Sequence, residues 1–346
     1  MQPLSQFVLR NAATLGSAQE LLWINPPGDA PWRELTSRLN HLELFCQDRS
    51  DWRALNAAGA QPQFGALPDS APTAILLSLP KEKDRLRMLA HWAAAVLPQQ
   101  GRLWLAGENQ AGIRSCERHV LEYFTKVHKH DSARHCGLYE FTHPQPAQKF
   151  DPQDWRQDWP LARGEASLTI CSWPGVFAHG GLDAGTSLLL EHLPDLKPGQ
   201  RVLDFGCGAG VVAAALLQAQ PKLDCVLADS SALALLSAQA TLDANGLQAR
   251  IVPSDGLHEV EGRFDWVISN PPFHQRHANR PELGTTLLAD VRHHLKPSGR
   301  LLLVANRHLP WPRWLDQVFG GHRQVADEYG YRVLSNGAPG SRRAAN

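Results

Sequence analysis

Apolar and polar positions in the second half of the chain switch repeatedly between a strand-like run and a helix-like period. The run Arg201–Phe205 ends in GCGAG, and a helical pattern follows from Val211 to Gln220. DCVLAD at 224–229 predicts the next strand. A helix beginning near Ser231 stops at Asn245-Gly246, a suitable C-cap. RIVPS at 250–254 and FDWVIS at 264–269 predict two more buried strands. A helix from about Thr285 to Leu295 then leads through a turn at Pro297-Ser298-Gly299 to a strand, RLLLVA, at 300–305. HRQVADE and YGYRVLS fit the antiparallel strands that close such a sheet, and GAPGSRRAAN reads as a frayed tail. Strand and helix alternating at this rhythm predict an α/β fold with a doubly wound, mainly parallel sheet.

The first half has no glycine-rich loop, yet it echoes the second. VLPQQGRLWLAG at 96–107 matches HLKPSGRLLLVA at 294–305, with Leu105 falling on Leu303. Upstream, ILLSLPK at 75–81 lies where WVISNPP lies, so that Leu79 stands opposite Asn270. The echo predicts a duplicated domain: a degenerate copy over 1–150, a linker over 151–166 (DPQDWRQDWP opens it), and a competent copy over 167–346. WINPPGD at 23–29 would be the first copy's counterpart of the glycine loop, with prolines for glycines and no acid before them.

A length of 346 residues suits two domains. Lys plus Arg and Asp plus Glu both total 34, which excludes a histone-like binder but not a local basic patch. The start, MQPLSQFVLRN, has no basic-then-apolar leader, and no run of 18 apolar residues occurs, so a cytoplasmic protein without membrane spans is expected. Six cysteines without a C-x-x-C pair argue against a zinc site or disulfide framework; no metal is expected.

VLDFGCGAG at 202–210 carries the strongest local signal. Gly206, Gly208 and Gly210, with Cys207 between, let the backbone turn tightly into a helix N-terminus. The spacing is G-x-G-x-G rather than the dinucleotide G-x-G-x-x-G. Asp204 just before it would repel a pyrophosphate, but suits a cationic amino-acid head such as the ammonium of S-adenosylmethionine. Asp229, at the end of the next strand, can accept hydrogen bonds from ribose hydroxyls. It can equally cap the following helix, as can Ser230. Asp255 after RIVPS can meet an adenine amino group or simply face solvent.

ISNPPF at 268–273 is the second strong signal. Two prolines remove backbone donors, leaving the Asn270 side-chain oxygen and the Pro271 carbonyl as acceptors for an exocyclic amino group. Phe273 offers a flat face for stacking. A rigid Pro-Pro turn beside a buried Phe is the structural alternative, and NPPG at 25–28 is read that way.

Together VLDFGCGAG, Asp229 and NPPF resemble class I S-adenosylmethionine-dependent methyltransferases acting on exocyclic or amide nitrogens. PGVFAHGGLDAGTSLLL at 174–190, GRFDWVISNPPFH at 262–274, GENQAGIRS at 107–115 and DSARHCGLY at 131–139 extend the likeness over most of the chain. It is similar to the ribosomal RNA small-subunit guanine-N2 methyltransferase C family. The resemblance implies two tandem Rossmann-like class I methyltransferase domains, of which only the C-terminal one binds S-adenosylmethionine. It also implies a 16S rRNA or small-subunit substrate, with Phe177, Leu182 and Asp183 walling the cofactor pocket. The chain departs from the family's pattern at Asp255, where Asn is common. A monomer is expected.

From Pro271 onward, 11 Lys and Arg stand against 5 Asp and Glu, whereas residues 1–165 carry 18 of each sign. Arg276, Arg280, Arg307, Arg313, Arg323, Arg342 and Arg343, with His274 and His277, could contact phosphates without reading sequence. The competing expectations are a protein glutamine N5-methyltransferase, an NAD-dependent oxidoreductase, which the glycine spacing opposes, and a non-catalytic RNA-binding protein.

Overall fold

The computed structural model describes residues 1–145, 149–163, 166–271 and 281–337. The chain forms two compact units, one of Met1–Arg156 with Trp173–Gly175, the other of Gln157–Ser172 with Val176–Asn346.

In the first unit, strands β1 (Glu20–Ile24), β2 (His41–Cys46), β3 (Gln63–Phe64), β4 (Ala74–Ser78), β5 (Arg102–Glu108), β6 (Phe124–Ala133) and β7 (Cys136–Pro144) form one sheet. Its order is β3-β2-β1-β4-β5-β7-β6. The pairs within β1 to β5 are parallel, and β7 and β6 close the sheet antiparallel. Every residue of β4 is buried, as expected for a parallel strand covered on both faces. Helix Lys83–Val96 covers one face with Leu86, Leu89, Ala90 and Ala93, a spacing of one helical stripe.

The second unit begins with a hairpin of β8 (Gln157–Arg163) and β9 (Ala166–Ser172). Its main sheet holds β10 (Arg201–Phe205), β11 (Asp224–Asp229), β12 (Arg250–Pro253), β13 (Phe264–Ser269), β14 (Leu295–Asn306), β15 (His322–Glu328) and β16 (Tyr331–Asn336). The order β12-β11-β10-β13-β14-β16-β15 repeats that of the first sheet strand for strand. HRQVADE and YGYRVLS are the expected antiparallel pair.

Several expectations change. Within the stretch read as a linker, Pro152–Trp155 forms a 3-10 turn started by the Asp151 side chain, and 157–163 is strand. The turn expected at Pro297-Ser298-Gly299 lies inside β14, as a bulge between the Phe264–Leu295 and Trp266–Arg300 pairs. A side chain at Gly299 would meet the Phe264 carbonyl oxygen at 2.8 Å, so only glycine lets that bulge close. The preceding helix starts at Pro281, before Thr285. Helix Trp311–Phe319 was not foreseen. Residues 338–346 of the expected tail lie outside the described residues.

Strand register corrects the echo by one position. Ile24 pairs with Phe45 and Leu77, and Phe205 pairs with Ala228 and Ser269. Leu77 in turn pairs with Leu105, and Ser269 with Leu303, which keeps the Leu105–Leu303 match. The counterpart of Asn270 is therefore Ser78, not Leu79. By the same register Trp23 answers to Asp204, Asn25 to Gly206 and Cys46 to Asp229.

Among the described residues no helix is long and apolar enough to cross a membrane, and no group of His, Cys, Asp or Glu could hold a metal ion. All six cysteines are free and buried.

Candidate active site

In the second sheet the strand order reverses between β10 and β13, and open α/β sheets bind ligands outside the carboxyl ends of strands at such a point. The loops after β10, β11 and β13 all emerge there. The Ser269 hydroxyl donates to the Phe205 carbonyl oxygen at 2.7 Å and locks the last residues of β10 and β13 together.

The glycine loop needs its glycines for backbone reasons. Gly206, Gly208 and Gly210 have φ of 70°, 53° and 74°, in the left-handed region. Gly210 forms the N-cap of helix Val211–Ala219, and a Cβ there would press on Ala238 at 3.2 Å. A Cβ on Gly208 would meet nothing within 4 Å, so the loop presents open backbone on that side. Cys207 is buried, which pushes its thiol pKa well up.

Asp204 is almost wholly buried, and its Oδ2 accepts from the Ala213 amide at 3.0 Å, in the first turn of the helix. Burial, reinforced by the nearby charge of Asp229, raises its pKa to about 7, against the pull of that amide. Asp229 sits half-buried at the end of β11. It accepts from the Gly208 amide at 3.0 Å and from the Ser231 amide at 2.9 Å, so it braces the glycine loop against the next helix. The N-cap of helix Ala232–Ala244 is Ser231, whose hydroxyl accepts from Ala234. Neither Asp229 nor Ser230 takes that place. Beyond β12, Glu259 accepts from the Ser254 hydroxyl and the Asp255 amide at 3.1 and 3.0 Å, folding the Asp255 turn back on itself.

Asn270 follows β13 directly, half-buried, with Pro271 buried after it. Its Nδ2 donates to the Thr186 hydroxyl at 3.0 Å. Thr186 lies in the first turn of helix Ala184–Glu191, whose N-cap is Asp183; the Asp183 carboxylate accepts from the Gly185 and Thr186 amides. Asp183 is thus held by its own helix. Phe177 and Leu182, in the segment leading to it, are 54% and 36% exposed, unlike the buried bulk of the hydrophobic side chains. Phe273, with His274, Arg276, His277 and Arg280, lies outside the described residues, as do Arg342 and Arg343.

The structure therefore gathers Gly206 to Gly210, Asp204, Asp229 and Asn270 at one sheet edge. The sequence reading missed Thr186 and Ser269. Thr186 lies 84 positions from Asn270, and no local pattern links them.

The family described as Methyltransferase small domain matches residues 167–335, and its N-terminal companion, Methyltransferase small domain N-terminal, matches residues 5–159. The ribosomal RNA small subunit methyltransferase C of Shewanella pealeana is 40% identical over 339 residues, covering 96% of this chain and 98% of that protein. The protein of the same name from Shewanella loihica is 39% identical over 337 residues, with the same coverage. Among solved structures, the T. thermophilus 16S rRNA N2 G1207 methyltransferase in complex with AdoMet and guanosine superposes with a TM-score of 0.79 at 24% identity, covering 93% of this chain and 91% of that one. With both halves matched and relatives of this identity aligned nearly end to end, the chain belongs to the ribosomal RNA small subunit methyltransferase C family.

Proposed function

We infer that this chain methylates the exocyclic N2 of a guanine in 16S ribosomal RNA, with S-adenosylmethionine as donor. The observation that carries this reading is the placement of Asn270 just past the end of β13, the strand beside β10 and its glycine loop, with its amide nitrogen engaged by Thr186. That leaves Oδ1 as the acceptor. The open backbone at Gly208 and the carboxylate of Asp229 fit a nucleoside, and the acid of Asp204 below the loop fits a cationic head group.

Bound S-adenosylmethionine supplies a methyl group already activated on its sulfonium. The chain's own contribution is positioning and electrostatics. Asn270 Oδ1 and the Pro271 carbonyl accept the two amino hydrogens, which turns the nitrogen lone pair toward the donor side. Phe273, three residues on in the sequence, stacks on the base. A guanine within a stem must be extruded to reach this edge. Phe177, Leu182 and Asp183 wall the cofactor side, and Asp255 faces the adenine. The first unit keeps the fold and serves as scaffold or RNA-holding platform.

The test is transfer of tritium from labelled S-adenosylmethionine to 16S rRNA, offered both naked and in the small subunit, with mass spectrometry of the product nucleoside. N2-methylguanosine is the expected product. Label on a protein glutamine, or no label at all, overturns the reading.

A further inference from the structure

Among the described residues, Tyr329 is the most exposed large hydrophobic side chain, at 76%. It occupies a demanding position. β15 ends at Glu328, which pairs with Tyr331 at the start of β16, so Tyr329 and Gly330 are the two central residues of a tight hairpin. Both have positive φ, 53° and 82°. Two-residue turns of this kind favour Asn, Asp or Gly, and a bulky side chain in the left-handed region is strained. Strain of this sort concentrates at functional positions.

The hairpin also stands in an informative place. Tyr331 pairs with Asn306 at the carboxyl end of β14, and the Arg307 amide donates to the Gly330 carbonyl oxygen at 2.8 Å. The turn therefore projects from the same sheet edge as the glycine loop and Asn270. With β16 two strands and β15 three strands from β13, the lateral separation is about 10–15 Å. Contact is closer still along another path. A Cβ on Gly185 would fall 2.9 Å from the Tyr331 ring, so that ring lies against the helix turn whose next residue, Thr186, holds Asn270.

The surroundings carry two guanidinium groups. Arg307 and Arg332 share the carboxylate of Asp327, and the Arg307 side chain is half exposed; with Glu328 also in the turn the charges balance, so the two guanidinium groups offer local donors rather than a net positive charge. An exposed ring beside guanidinium groups is the arrangement that holds single-stranded nucleic acid, by stacking on any base face and neutralising the backbone.

We propose that the β15–β16 turn is an RNA-binding element of the active-site rim, in which Tyr329 stacks on a nucleotide flanking the extruded guanine while Arg307 and Arg332 face the adjoining phosphates. The proposal rests on the RNA methyltransferase reading above.

The experiment compares the full-length wild type with Tyr329→Ala, Tyr329→Phe and Tyr329→Gly. Steady-state methylation of 16S rRNA is measured together with S-adenosylmethionine affinity and melting temperature. Tyr329→Ala raises the KM for RNA on the order of tenfold, with kcat and cofactor affinity within twofold of wild type. Tyr329→Phe keeps the ring and stays near wild type. Tyr329→Gly loses RNA as Tyr329→Ala does, yet melts higher than wild type because the turn is relieved. An unchanged KM in Tyr329→Ala, or losses that fall equally on cofactor binding, overturns the proposal. If the wild type itself leaves guanine unmethylated, the functional reading has failed, and fluorescence anisotropy with a labelled 16S rRNA fragment still decides this one. Weaker binding by Tyr329→Ala supports it, and equal binding by both proteins sinks it.

Discussion

The two sheets share strand order and register, and they differ where their central strands end. In the second unit those ends carry Asp204, Gly206, Asp229 and Asn270; in the first, Trp23, Asn25, Cys46 and Ser78 stand in their places. The first set leaves room and acceptors. The second set consumes itself. The Trp23 indole donates to the Ser78 hydroxyl at 3.0 Å. Asn25 exchanges hydrogen bonds with Gln47 at 2.9 and 3.0 Å, and Arg85 donates to the same Gln47 oxygen at 2.8 Å. Even the backbone contact is retained, since the Asn25 amide donates to Phe45 as Gly206 does to Ala228, both at 2.8 Å. Apolar packing and strand pairing hold the architecture in both units, while the two differ in a few side chains at strand ends.

The sharpest way to break the comparison is to strip the acceptor from each copy. Asn270→Ala is expected to lose about 10²-fold in methylation rate, the scale of losing one preorganised polar contact, while calorimetry shows near-normal cofactor affinity. Ser78→Ala is expected to leave the rate unchanged. Wild-type turnover in Asn270→Ala would reduce NPPF to a rigid turn. Next, Asp229→Ala is expected to weaken S-adenosylmethionine binding by about 1–3 kcal/mol, whereas Cys46→Ala leaves both affinity and a stoichiometry of one per chain intact. Two cofactors bound per chain would refute the asymmetry.

The pH dependence sharpens it further. Asp204 titrates near 7, raised chiefly by burial and then by the charge of Asp229. A cationic head group favours the ionised carboxyl, so binding releases a proton at lower pH, and affinity rises as pH climbs through about 7. Without ligand the sign is opposite: the raised pKa stabilises the fold at low pH, and that contribution is lost as pH rises from the ordinary carboxylate range through about 7. Calorimetry in buffers of different ionisation heat reads the released proton directly, and its absence in Asp204→Asn is the control. The smallest effect is expected from Thr186→Val, which frees the Asn270 amide to turn. A loss of about 0.5–1.5 kcal/mol in transition-state stabilisation, restored by Thr186→Ser, should fall on kcat rather than on cofactor affinity.

How far the sequence foretells this follows from particular residues. DCVLAD is a strand from first residue to last as expected, because it runs apolar between polar ends and meets a helix cap. The glycine loop is legible because positive φ demands glycine. By contrast, ELLWI and HLELFC form β1 and β2 although each carries a glutamate among its apolar residues, and the Pro and Trp of WPRWLDQVF obscure a helix. The one-residue slip in the echo arises because SLP at 78–80 and SNP at 269–271 match at Ser and Pro, whereas strand pairing makes Leu77 the counterpart of Ser269. Thr186, Ser269 and Gly185 act across distant parts of the chain, and long-range contacts leave no local period to read.

The buried end of β2 carries an energetic consequence. Cys46 has no exposed surface, and Asp48 and Asp51 lie near enough to push its thiol pKa up along with burial. Aspartate at that position would be a third carboxylate near two others in a wholly buried place, a costly substitution. The end of β2 is thus closed to an acid of the kind that Asp229 supplies at the matching register of the second unit.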